Sequence, residues 1–219
     1  TAYAMKRVLI FAAHLDDVEF GMGGTCALLS RDHRITLCVF CRGDRPGSEH
    51  VQQSRQDAMT ANINDLHIAE YLQLDYSDMS LDRVPFLELS SYATSLVQKI
   101  SPDTVFTHYS QDIHSDHRIV SNATRVACRP RESCSVKELY EYPIPGSTEW
   151  ARTGIEYNTY FDTSEVSQTK YRCISRYETE VKSEIDPLNL EYIKHRDLYY
   201  GGLCGYKIAE PFLNIYTKK

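Results

Sequence analysis

The sequence predicts an α/β fold: a Rossmann-like, doubly wound, mostly parallel sheet with helices on both faces, in a single domain over residues 1–219. Three observations carry this expectation. Apolar runs of strand length alternate with segments of helical spacing through the first 130 residues. The first run, KRVLIFAA at 6–13, is nearly continuous, as a strand covered on both faces requires. No Pro/Gly/Ser-rich linker or change of composition divides the 219 residues, a length that supports one sizeable core.

The elements follow in order. A basic pair precedes the run at 6–13, but the run passes directly into HLDD with no separate cleavage region, which favours a strand over a signal peptide. GMGGTCALLSRDH, 21–33, reads as a helix with a glycine-rich start, and RITLCVF, 34–40, as the second strand. A polar loop leads to a polar helix over 49–64 and a third strand over 66–74. Apolar residues at 86, 87, 89, 93, 96, 97 and 100 give 84–100 helical spacing. A strand at 101–108 and a helix at 116–128 complete the alternation. Strands at 136–142, 154–161 and 210–216 and helices at 165–181 and 188–202 follow, with no internal repeat.

Charge and composition exclude several classes. A net charge of −6 with interspersed Lys and Arg argues against a nucleic-acid binder. No apolar run reaches the roughly 18 residues of a membrane span. Seven cysteines, odd in number and irregularly spaced, do not form a disulfide framework and fit a reduced, cytoplasmic protein. Cys38 and Cys41 make a C-x-x-C, but within a strand, where residues three apart face opposite ways. Sixteen tyrosines, crowded toward the C-terminal half, leave room for a homo-oligomer contact.

Two polar clusters stand out: HLDDVE at 14–19, after the first strand, and HSDH at 114–117, after the fourth. Alone, each also reads as a turn or a helix cap, with Ser115 or Asp116 as the capping residue. Together they fall on the edge of a parallel sheet where ligands bind, at the carboxyl ends of strands beside a switch in strand order. Two imidazoles and a carboxylate with open positions make a catalytic zinc arrangement, in which a metal-activated water loses its proton to a nearby carboxylate. His114 and His117, three apart at a helix start, share a side, while His14 and Asp17 can converge on a loop that turns Asp16 elsewhere. The glycines of GMGG come too late after the strand, and without G-x-G-x-x-G spacing, to bind a dinucleotide.

The motifs resemble those of the LmbE/PIG-L family of zinc-dependent de-N-acetylases, which act on N-acetylglucosaminyl groups. AHLDDVEFGMGGT (13–25) is similar to the first family motif, and PDTVFTHYSQDIHSDHR (102–118) to the second. Arg55-Gln56-Asp57 matches a shorter R-x-E pattern with Asp in place of Glu, and AEPF (209–212) a late one. Leu15 and Ser115 stand where the family has proline, which restrains the backbone but ligates nothing. The resemblance implies His14, Asp17 and His117 as ligands of zinc or another divalent metal, and Asp16 as general base. It implies His114 as the group that holds the oxyanion, Asp116 as the residue that orients His114, and Arg55 as a contact to the sugar. Asp78 takes the place of an acidic residue that the family often has near the pocket.

From position alone, His108 either lines the site or closes its strand, and Trp150 either stacks on a sugar face or makes an oligomer contact. Glu19 has no assigned role. Loops 42–50, 75–84 and 143–153 are expected to set specificity. The implied partner is a small amino sugar conjugate that loses its N-acetyl group. Hydrolysis of another small amide, such as a formamide, or a sugar- or nucleotide-binding protein with a structural metal are the alternatives.

Overall fold

The computed structural model describes residues 5–44, 49–151, 154–181 and 183–218. Its strands are β1 (Arg7–Ala12), β2 (Arg34–Cys41), β3 (Glu70–Tyr76), β4 (Thr104–His108), β5 (Glu138–Tyr142), β6 (Thr159–Asp162) and β7 (Ala209–Thr217). Its helices are α1 (Asp17–Leu29), α2 (Glu49–Asp65), α3 (Phe86–Ile100), α4 (Ser115–Ala127), α5 (Ser167–Ser175) and α6 (Leu190–Cys204), with a short 3-10 turn at Leu81–Arg83. The strands form a seven-stranded sheet in the order β3-β2-β1-β4-β5-β7-β6. The five strands from β3 to β5 are parallel, and β7 and β6 are added antiparallel. This is the expected α/β, mostly parallel architecture.

The continuous apolar run of β1 is explained by where its alternate residues go. Val8, Ile10 and Ala12 join one core with α1 and α2 residues such as Val18, Met22 and Met59. Leu9, Phe11 and Ala13 join the other, with Leu89, Ala93 and Val97 of α3 and Val120 and Ala123 of α4. Truncating any one of these to alanine or smaller would lose transfer energy and leave a cavity, at a cost of about 2–5 kcal/mol for a buried Leu or Ile.

Several expected boundaries move for local physical reasons. The third strand starts at Glu70 rather than 66, because Leu66 and Ile68 belong to the C-terminal turn of α2. There the Ile68 amide donates to Ile63 O across His67, whose φ of 50° is left-handed. Apolar residues closing a helix imitate a strand start. α1 begins at Asp17, not 21, so the glycines lie inside it, with a break at Met22 (φ −151°). A Cβ on Gly21 would stand 2.6 Å from Tyr142 Cδ2 and 2.8 Å from Pro143 O, so glycine there lets α1 lie against the end of β5. β6 is a four-residue edge strand and α5 stops at Ser175, both shorter than expected.

Cys38 and Cys41 do not separate to opposite faces: both belong to the α3/α4-side core, where the β2–β3 register shifts between Val39 and Cys41. All seven cysteines are free. Among the described residues no helix is long and apolar enough to cross a membrane.

Candidate functional site

β1 and β4 are hydrogen-bonded neighbours, so the loops that leave their carboxyl ends lie side by side. The sheet order reverses at this point, since the chain runs outward from β1 to β3 before returning to β4. The two polar clusters thus meet at one place. His14 Nδ1 is 3.3 Å from His117 Nε2 and 3.5 Å from Asp17 Oδ2, and His117 Nε2 is 3.3 Å from Asp17 Oδ1. All three residues are buried.

These separations test whether the donors suit a metal. Ligands about 2.0–2.1 Å from a tetrahedral ion lie roughly 3.3–3.4 Å apart along a tetrahedron edge, which is the spacing found here. Each imidazole also has a carboxylate at its outer nitrogen. His14 Nε2 is 3.2 Å from Asp116 Oδ2, and His117 Nδ1 is 3.3 Å from Asp112 Oδ1. That places both inner nitrogen lone pairs toward the centre, the carboxylate–histidine–metal pattern. A two-histidine, one-carboxylate set with open positions suits zinc and other first-row ions.

Electrostatics point the same way. Burial alone would push the Asp17 carboxyl up, but His108, His117 and His14 hold it well below the usual carboxylate range. Burial opposes charge on His14, yet Asp17 and Asp116 hold its pKa well above the usual imidazole value. The centre is built to accommodate positive charge.

Asp16 precedes Asp17 as the N-cap of α1, and its side chain makes no capping bond. Its Oδ1 lies 3.4 Å from Arg55 Nη2, and burial pushes its carboxyl upward against the opposing pull of Arg55. Arg55 does not stand free in the pocket as the sugar contact expected of it. It is 3% exposed, 2.7 Å from Asp78 Oδ2 and 3.5 Å from Glu180 Oε1, and donates to Gly43 O. Asp57, the other half of that motif, is exposed and accepts from Gln53.

His114 is the N-cap of α4, in place of Ser115 or Asp116: its Nδ1 accepts from the Asp116 amide at 3.2 Å. The cap fixes the tautomer with the proton on Nε2. Burial, then the neighbouring His117 and His14, pushes its pKa down to about 4, so it is a neutral donor near pH 7. The Asp116 carboxylate does not orient His114, as expected of it. It contacts His14 and accepts from the Met79 and Leu81 amides at 2.8 and 3.2 Å. Only the backbone of Asp116 reaches His114, because the first turn of α4 sends its side chain toward the β3 loop.

His108 is fully buried beneath the cluster and is not among the residues that line the cavity above it, which disfavours it as a substrate contact. It accepts from the Ala13 amide at 2.9 Å, lies 3.0 Å from Asp17 Oδ2 and stacks on the His117 ring, with centroids 4.1 Å apart. It packs beneath the three candidate ligands. Trp150, Asp78 and Asp16 all line one cavity of about 930 Å³ above the cluster. The described parts of the loops 42–50, 75–84 and 143–153 contribute to its walls, while residues 45–48 and 152–153 lie outside the described residues.

Sequence reasoning missed Asp112 and Glu180. Asp112 binds His117 and the His114 amide and accepts from the Ser147 and Thr148 hydroxyls, and the only signal was its place two residues before His114. Glu180 arrives from a segment read as helix. Glu19, left unassigned, is fully buried against Asn62 and Tyr177.

The fold and site together define a doubly wound α/β protein with a buried His/Asp group at its switch point that could hold a metal ion. The chain belongs to the PIG-L family: the family model described as GlcNAc-PI de-N-acetylase matches residues 9–128, which carry both motifs. The chain is 23% identical over 151 residues to the uncharacterized deacetylase YaiS of Escherichia coli K12, covering 67% of this chain and 78% of that one. It is 24% identical over 231 residues to the diacetylchitobiose deacetylase of Thermococcus kodakarensis, covering 94% and 82%. Among solved structures, the conserved protein TT1542 of Thermus thermophilus superposes with a TM-score of 0.80 at 22% identity over 98% of this chain and 97% of that one. GalB, the 4-carboxy-2-hydroxymuconate hydratase of Pseudomonas putida KT2440, does so at 0.77 and 17% over 98% of each. A zinc-inhibited form of the teicoplanin deacetylase Orf2 does so at 0.76 and 14%, over 95% and 97%.

Proposed function

We propose that the protein is a metal-dependent hydrolase that removes the N-acetyl group from an amino sugar conjugate. The observation that carries this is the convergence of His14, Asp17 and His117 at metal-edge spacing, with the Asp16 carboxylate beside them and separated from them in role. Zinc fits the donor set, and when bound it would bring the pKa of water toward about 7 and polarise the acetamide oxygen. Asp16, its carboxyl raised by burial, takes the proton of the attacking water. Arg55 holds that carboxylate in place. The Nε2–H of His114 donates to the oxygen that becomes negative as the carbonyl turns tetrahedral. The C–N bond then breaks, the amine receives a proton, and acetate departs. Asp116 and Asp112 keep His14 and His117 with their lone pairs inward.

The test is acetate release from a panel of N-acetylglucosaminyl conjugates, with metal content measured in parallel. Asp16→Asn should keep the metal and lose about 10²–10⁴-fold in turnover, the usual contribution of a general base. His14→Ala should lose the metal. Full activity in Asp16→Asn would remove Asp16 as the base. The fold of the GalB hydratase favours a second reading, in which the same residues activate water against another bond. Metal binding with no acetate from any conjugate would support it, with a formamide panel as the next trial.

A further inference from the structure

The cavity above the ligand cluster is about 930 Å³, toward the upper end of small-molecule sites and larger than one pyranose fills. Its walls bear on what the sugar is attached to. Met79 and Val84 come from the segment after β3, and Ile144, Pro145 and Trp150 from the segment after β5. Because β3 and β5 lie on opposite sides of β1 in the sheet, these two segments flank the His14 loop from opposite sides.

Met79 is held out at the cavity by its backbone. Its φ is 57°, a left-handed conformation unfavourable for a non-glycine residue, and its amide is tied to Asp116 Oδ2 at 2.8 Å. Its side chain is left 74% exposed, and Trp150 is 75% exposed. Both large apolar side chains border the same cavity.

Away from the His14–Asp17–His117 centre, the described charges of the cavity are mainly acidic. Asp44, Asp78, Glu180 and Asp186 line it together with Asp16 and Asp17. Of the lining arginines, Arg55 is enclosed by Asp16, Asp78, Glu180 and Gly43 O, and Arg83 is exposed, where water and salt screen it. Among the described lining residues there is no buried, uncommitted cation of the kind that recognises a phosphate.

We propose that this cavity takes a glycoside of an N-acetylated amino sugar whose aglycone is aromatic or otherwise apolar and carries no phosphate, with Met79 and Trp150 packing against that aglycone. This rests on the amino-sugar reading above and narrows it.

Trp150 is the only tryptophan of the chain, so its fluorescence reports on the cavity directly. The zinc-loaded protein is titrated with phenyl N-acetyl-glucosaminide, the methyl glycoside and N-acetylglucosamine 1-phosphate. The phenyl glycoside should shift the emission saturably and bind about tenfold tighter than the methyl glycoside, with the phosphate weakest. In calorimetry, Met79→Ala and Trp150→Phe should each cut the phenyl-to-methyl ratio several-fold. The phosphate binding as tightly as the phenyl glycoside, or an unchanged ratio in both variants, would overturn the proposal. Acetate release is followed on the same three compounds. Tight phenyl binding without acetate would sink the deacetylase reading and leave the aglycone preference standing. Preferential deacetylation of the phosphate would do the reverse, and binding of none of the three would end both.

Discussion

Asp116 Oδ2 lies 3.2 Å from His14 Nε2, and the same oxygen accepts the Met79 amide at 2.8 Å. One carboxylate therefore fixes the tautomer of an expected metal ligand and the backbone of the loop that forms a cavity wall. Asp116→Ala should lower metal affinity by about 10–100-fold, the usual loss when the outer partner of a ligating histidine is removed. Competition against a chelator with a metal-sensitive absorbance measures it directly. An affinity equal to the parent would mean that His14 is oriented by something other than Asp116.

Arg55 stands among Asp16, Asp78 and Glu180 at 3.4, 2.7 and 3.5 Å. Replacing it with methionine keeps most of the stem and removes the guanidinium from beside all three carboxylates. Loss of one partner from such a group costs about 3–5 kcal/mol. Urea unfolding of Arg55→Met at pH 7 should show this loss. A variant as stable as the parent would show that the three carboxylates relax to solvent unaided.

Much of this was legible in the sequence. The strand–helix alternation reports buried two-faced strands, and the position of HLDD and HSDH at strand ends follows from the chain order alone. The roles of individual side chains were less legible. The resemblance implies Asp116 as the residue that orients His114, but α4 caps with the His114 side chain, and the Asp116 carboxylate accepts from the Met79 and Leu81 amides in the segment after β3. His108 ends a strand, and only the stacking of its ring under His117 tells that it faces down into the core and not up into the cavity. Glu180 comes from 164 residues beyond Asp16, and no local pattern announces a contact set by tertiary packing.

Glu19 is fully buried; burial pushes its carboxyl up to about 8, and the Asn62 and Tyr177 hydrogen bonds recover only part of that cost. A carboxyl with a folded-state pKa above its unfolded value binds its proton more tightly when folded. Its contribution is fully favourable below about 4.5 and is lost as pH rises toward and through about 8. Glu19→Gln keeps the Oε1 acceptor for Asn62 and carries no charge. It should match the parent in Tm near pH 5 and exceed it increasingly between pH 6 and 9, by on the order of a few kcal/mol of stability at the upper end. Thermal melts across that range check the sign, and a gap that narrows with rising pH would refute it.

Glu210, from the late AEPF motif, pins α1 to β7. Its two oxygens accept the Gly24 and Thr25 amides at 2.9 and 2.6 Å, and Lys170 Nζ lies 2.8 Å away, itself 2.7 Å from Asp197. All three charged side chains are fully buried. Glu210→Ala removes the acceptor of two buried amides and half the counter-charge of Lys170, so a loss of about 3–5 kcal/mol is expected. The pin, however, grips α1 beyond its break at Met22, whereas Asp17 lies before the break and is held by the His14 amide and His108. The variant should therefore unfold at markedly lower urea yet bind metal with nearly the parent's affinity at temperatures where it is folded. Because Asp197 remains, Lys170 keeps one partner, and adding Lys170→Met should cost less in the Glu210→Ala background than alone. A double-mutant cycle reads that coupling, and a metal affinity that falls along with stability would show instead that the Met22 break transmits the strain to Asp17.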